Sequence, residues 1–93
     1  MMYLVRVELH GANRDDYEVL HEGMSRRGFQ RTIRSGSRTD YALPTAEHVA
    51  ATPQPGEEVR SVADVAVSQT GKNHAVLVVR YDQCRWTGLA YAS

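Results

Sequence analysis

The sequence predicts a small α+β domain in which four strands form one antiparallel sheet and two helices cover one face of it. Three observations predict this. Tyr3, Val5, Val7 and Leu9 alternate with Leu4, Arg6 and Glu8, the period-two pattern of a strand with one buried face. Two later stretches carry apolar residues at three- and four-residue intervals, as amphipathic helices do. The most apolar run, Ala75-Val76-Leu77-Val78-Val79, comes after both of them, and its length suits a buried strand.

The elements follow in order. After the first strand, His10-Gly11-Ala12-Asn13 turns the chain, and Asn13 is a good helix N-cap. Asp15 and Asp16 fall in the first turn, where the helix dipole favours negative charge. Tyr17, Leu20 and Met24 form the apolar stripe, with His21 beside it. Arg26 and Arg27 close the last turn, and Gly28 follows as the residue just past the end. Phe29 to Ser35 is the second strand, with Phe29 and Ile33 on one face and Gln30, Thr32 and Arg34 on the other. Arg31 shares the nominal face of Phe29 and Ile33, which points to an edge or a bulge. Ser35-Gly36-Ser37 is a turn. Asp40 to about Pro44 is the third strand, paired with the second as a hairpin and burying Tyr41 and Leu43; Pro44 has no ladder donor, so the strand ends, bulges or is unpaired there. Thr45 to Thr52 has no single reading; resuming the strand is one alternative. Pro53-Gln54-Pro55-Gly56 is a loop. Glu57 and Glu58 open the second helix, whose buried stripe is Val59, Val62, Ala63 and Ala66. Gly71 ends it. His74 to Tyr81 is the fourth strand, and Trp86 to Tyr91 is a candidate short fifth strand. No repeat and no low-complexity tract interrupts residues 1–93, which form a single domain.

The order strand-helix-strand-strand-helix-strand is the ferredoxin-like arrangement. In it the first and third strands are central. The face away from the helices is then open and carries Leu4, Arg6, Glu8, Gln30, Thr32 and Arg34. The last strand adds either Val76, Val78 and Arg80 or the alternate set. Apolar area rimmed by polar groups marks an interface, and a chain of 93 residues buries little of its own surface. A homodimer is expected.

The composition excludes several classes. Lys and Arg number 11 and Asp and Glu 11, so the net charge is zero. The single Cys84 makes no intramolecular disulfide, which fits a reducing compartment. No apolar run approaches the ~18 residues needed to span a bilayer, and Met1-Met2-Tyr3 lacks the basic start of a signal peptide. The expected location is the cytoplasm, away from membranes. Phosphate-loop and zinc motifs are absent, and neither a metal nor another cofactor is expected.

The neutral total hides a polarised chain. Between Gly23 and Thr39 there is no acid, yet Arg26, Arg27, Arg31, Arg34 and Arg38 lie there. Arginine forks match phosphate oxygens. Arg31, Arg34 and Arg38, with Arg6 on the open face, are therefore the candidate RNA ligands; pairing with the acids of the first helix is the competing explanation. His10, at the end of the first strand, is the candidate catalytic residue. An imidazole there suits a general base on a ribose 2′-hydroxyl, with arginine stabilising charge on the phosphate. That is metal-independent endoribonuclease chemistry. His48 and His74 show no evident partner in the sequence.

Several strings have a familial look. They are Tyr3-Leu4-Val5-Arg6-Val7-Glu8-Leu9-His10, Asp16-Tyr17-Glu18, Gly28-Phe29-Gln30-Arg31-Thr32-Ile33, Tyr41-Ala42-Leu43-Pro44-Thr45-Ala46-Glu47 and Trp86-Thr87-Gly88-Leu89. Through them the chain resembles small bacterial and prophage-borne proteins grouped with the endoribonuclease antitoxin GhoS. The resemblance implies a ferredoxin-like fold similar to small CRISPR-associated nucleases, and an antitoxin that cleaves a toxin messenger RNA. Those nucleases place an aspartate at the end of the first strand, where this chain has Glu8, Leu9 and His10. No catalytic residue is carried over. Two expectations stand: an antitoxin-like protein that binds or cleaves RNA, or a non-catalytic dimeric interaction module of the same fold.

Overall fold

In the computed structural model, which describes residues 1–92, Tyr3, Val5, Val7 and Leu9 are all buried on one side of β1 (Met2–Leu9). β1 is the middle strand of a three-stranded sheet. It pairs antiparallel with β4 (Glu47–Ala51) on one side and with β5 (His74–Tyr81) on the other. The central placement follows from burial: only the middle strand has both edges paired, and its alternate side chains fill the core.

α1 (Arg14–Ser25) starts where the sequence places it. Asn13 and Asp16 make a reciprocal capping box, with Asp16 N–H donating to Asn13 Oδ1 at 3.0 Å and Asn13 N–H donating to Asp16 Oδ2 at 2.9 Å. Leu20 and Met24 are fully buried, and Tyr17 is packed at the margin. α2 (Gly56–Ser68) buries Val59, Ala63, Ala66 and Val67. The two helices touch through small residues: a Cβ added at Gly23 would stand 3.4 Å from the Ala66 carbonyl oxygen. Both helices cover the face bearing Tyr3, Val5, Val7 and Leu9, together with Val76 and Val78 of β5.

The middle of the chain agrees in part. β2 (Thr32–Arg34) and β3 (Asp40–Ala42) pair as the expected hairpin, but as a separate two-stranded sheet rather than as part of one four-stranded sheet. The strand beside β1 is β4, residues 47–51, rather than residues 40–44. Pro44 explains this. It has no N–H for a ladder, and its carbonyl instead accepts from Glu47 N–H at 2.9 Å, turning the chain before β4 begins. Between Phe29 and Ile33 the chain also changes sides of the sheet. Phe29 packs in the helix-side core, and Ile33 packs in a second cluster on the opposite face. Among the described residues between them, Gln30 alone hydrogen-bonds to the large sheet, exchanging two bonds of 2.8 Å with Val49.

The face away from the helices is consequently half covered. Ile33, Leu43 and Val49 form a second buried cluster, with Leu4, Tyr41, Tyr81, Trp86 and Leu89 packed on it. The segment Trp86–Tyr91 contributes to this cover and makes a single bridge, Tyr41 to Tyr91, rather than a strand. The uncovered half carries Arg6, Glu8, Ala75, Leu77 and Val79, because the β1–β5 register puts these on the side opposite Val76 and Val78. Among the described residues, no strand pairs with the outer edge of β5, and no helix is long and apolar enough to cross a membrane.

Candidate functional site

The alternation that buries Val5, Val7 and Leu9 forces Arg6 and Glu8 to the other face. At the end of the strand, His10 N–H donates to Asn73 carbonyl oxygen at 2.8 Å, and Gly11 turns the chain with a φ of 65°. The His10 ring folds back over the strand, placing Nε2 3.7 Å from Glu8 Oε1, and both side chains are more than half exposed. Arg6, Glu8 and His10 therefore form one polar row on the uncovered half of the sheet. Arg6 has no carboxylate within ion-pair distance among the described residues. The row offers a cation, a carboxylate and an imidazole to the same patch of solvent.

The hairpin arginines have different fates. Arg34 grips Asp40 through two hydrogen bonds, 2.8 Å from Nε and 3.3 Å from Nη2. The contact holds the Asp40 carboxyl below its ordinary range and raises the arginine. Arg38 lies at the hairpin tip in the left-handed region, with a φ of 67°. Its N–H donates to the Ser35 carbonyl at 2.9 Å, and its side chain is exposed. Arg31 sits where the chain changes sides. Nη2 donates to Leu43 carbonyl oxygen at 2.7 Å, and Nη1 meets the His21 ring at 3.1 Å. Burial lowers its pKa. Its fork joins α1 to the segment after β3.

Behind Arg31 lies a histidine pair that the sequence reading did not identify. His21 Nε2 lies 2.9 Å from the Thr45 carbonyl oxygen. Since a carbonyl only accepts, Nε2 carries the proton and Nδ1 accepts from Arg31. His48, from β4, is fully buried with its ring 5.6 Å from that of His21. Neither of its ring nitrogens has a partner among the described residues. Burial, then the charges of His21 and Arg31, push it down to about 3. A clue existed in the strand pattern: His48 and Ala50 alternate with Glu47, Val49 and Ala51, which puts His48 on the helix side once 47–51 is a strand.

The second unforeseen pair is His74 and Asp64. His74 Nε2 lies 2.8 Å from Asp64 Oδ1, and Nδ1 lies 2.9 Å from the Lys72 carbonyl oxygen. Both partners are acceptors, so the ring satisfies both only as imidazolium. The Lys72 carbonyl and then Asp64 raise its pKa.

The structure thus puts Arg6 and His10 of the candidate residues on one face of the sheet, with Glu8 between them and in contact with His10. Arg34 and Arg38 stand on the hairpin, and Arg31 is turned inward. Among the described residues, no three His, Cys, Asp or Glu side chains converge to hold a metal ion. No family model matches the chain, and no curated protein matches it.

Proposed function

We propose that this chain is a cytoplasmic RNA-acting protein of ferredoxin-like fold, with metal-independent endoribonuclease chemistry at His10. The carrying observation is the row Arg6–Glu8–His10, with its His10–Glu8 contact of 3.7 Å on an uncovered sheet face. Glu8 beside Nε2 orients the ring and leaves Nδ1 to take the ribose 2′-hydroxyl proton. The 2′-oxygen attacks phosphorus and the bond to the 5′-oxygen breaks. That oxygen is protonated by solvent, giving a 2′,3′-cyclic phosphate and a 5′-hydroxyl. Arg6, four residues from His10 on the same face, meets the charge that develops on the phosphate. Resemblance to the endoribonuclease antitoxins supports the same reading. The ferredoxin-like assignment rests on the order Gln30, β4, β1, β5, with the Gln30–Val49 exchange standing for a reduced fourth strand. The test is incubation of the purified chain with mixed single-stranded RNA, with and without EDTA. Cleavage in both is expected; no cleavage in either removes the enzyme.

One observation favours self-association as well. β5 is eight residues long and its outer edge is unpaired among the described residues. Leu77 and Val79 beside that edge are 59% and 44% exposed. A long apolar edge is a template for another strand. A second copy pairing there antiparallel would extend the sheet through both protomers. In that reading the chain is a dimeric interaction module, with or without the chemistry at His10.

A further inference from the structure

Tyr91 is 74% exposed. Its ring is not loose: it stacks on Tyr41 with 5.2 Å between centroids and 28° between planes. Tyr41 in turn meets Trp86 edge to face at 5.5 Å and 65°. The backbone fixes the stack from both sides of Tyr41. Ala42 N–H donates to the Ala90 carbonyl oxygen at 2.8 Å, and Ala92 N–H donates to the Asp40 carbonyl oxygen at 3.0 Å. Tyr41 and Trp86 are anchored in the second apolar cluster. The outcome is an aromatic ladder whose last ring presents its outer face to water. A ring this exposed adds little to the core, but its position is fixed before any ligand arrives.

Among the described residues, the neighbouring hairpin offers one unpaired cation. Arg38 at the hairpin tip is exposed and has no carboxylate within ion-pair distance among the described residues. Arg34 is held by Asp40, the acid of that hairpin. Beyond Trp86 the surface continues into a groove of about 310 Å³, whose rim carries Gln30, Thr32 and Asp82. These side chains can hydrogen-bond base edges. Leu4, beneath this cluster, and His10 lie roughly 20 Å apart along one strand, so a chain bound at the ladder can run across the sheet face toward His10.

We infer that the Tyr91–Tyr41–Trp86 ladder is a stacking platform for an unpaired base of single-stranded RNA, with Arg38 holding an adjacent phosphate. The inference rests on the RNA reading above and names where and how the RNA is held. Every base has a π-face, so the platform selects single strands rather than a sequence. A duplex hides those faces in its own stack.

The test uses the full chain and a labelled single-stranded oligouridylate at low salt, read by fluorescence anisotropy. Tyr91→Ala is expected to weaken binding about tenfold or more, while Tyr91→Phe keeps wild-type affinity. Arg38→Ala lowers the salt slope by about 0.7, as one lost single-strand phosphate contact does. A circular dichroism melt of Tyr91→Ala that overlays the wild type confirms that the fold is intact. Wild-type binding that Tyr91→Ala leaves unchanged overturns the platform and leaves the RNA reading standing. Equal affinity for a duplex also overturns the platform. No wild-type binding overturns both.

Discussion

The ring of His48 meets the ring of His21 edge to face, 5.6 Å between centroids and 62° between planes, where α1 lies over β4. One member of this pair is fully buried and without hydrogen-bond partners among the described residues. Burial of His48, more than the contact itself, makes the fold sensitive to acid. The folded-state pKa of His48 is about 3 against an ordinary 6.5. Above 6.5 neither the folded nor the unfolded state binds this proton. Between 6.5 and about 3 only the unfolded state binds it, so stability falls as pH falls, by about 1.4 kcal/mol per pH unit for one proton. His21, also lowered chiefly by burial, acts in the same direction. Urea unfolding from pH 7 down to pH 4 should show this loss. His48→Leu, which fills the site without a proton acceptor, should make it shallower, with the share of His21 remaining.

His74 works in the opposite sense. Its folded pKa is raised above 6.5 by the Lys72 carbonyl and Asp64. The stability it contributes is fully present below 6.5 and disappears as pH rises through the folded value. Asp64→Asn should therefore lower the melting temperature most below pH 6.5 and least at pH 9. A difference that grows with pH would show that the imidazolium is not what joins α2 to β5.

Arg31 ties α1 to the segment after β3, and its loss should be felt in the fold first. Arg31→Ala leaves the Leu43 carbonyl without its donor, a cost of about 1–3 kcal/mol for a buried group. Arg38→Ala should leave stability unchanged, since its side chain is exposed. Chemical denaturation of the two variants separates the roles.

The β5 edge should support a dimer. Sedimentation at micromolar concentration is expected to show the dimer mass. Leu77→Lys, placing charge on an exposed apolar position beside that edge, should give a folded monomer. A wild-type monomer at that concentration removes the self-association reading.

Much of the fold was legible because long elements repeat their signals. β1 and β5 each run for eight residues, so alternation or apolar content fixes them. Asn13 and Asp16 announce the start of α1, and Leu20 and Met24 its buried side. The hairpin strands have three residues each, too few for a period to show which way they face. The change of sides between Phe29 and Ile33 leaves no mark in a one-dimensional pattern, and that change is what turns Arg31 inward. The cover over Leu4 is tertiary, built from Ile33, Leu43, Trp86 and Leu89. Arg6 and His10 were readable as polar residues on an alternating strand, and Glu8 between them followed the same period. His74 and Asp64 were not, because their meeting depends on how α2 packs beside β5.

The most direct measurement compares RNA cleavage by wild-type protein and His10→Ala under single-turnover conditions, with binding measured in parallel. The expected result is unchanged binding, a rate slowed about 100-fold or more as for a lost general base, and cyclic-phosphate ends in the wild-type product. Equal rates for the two proteins would contradict a catalytic role for His10.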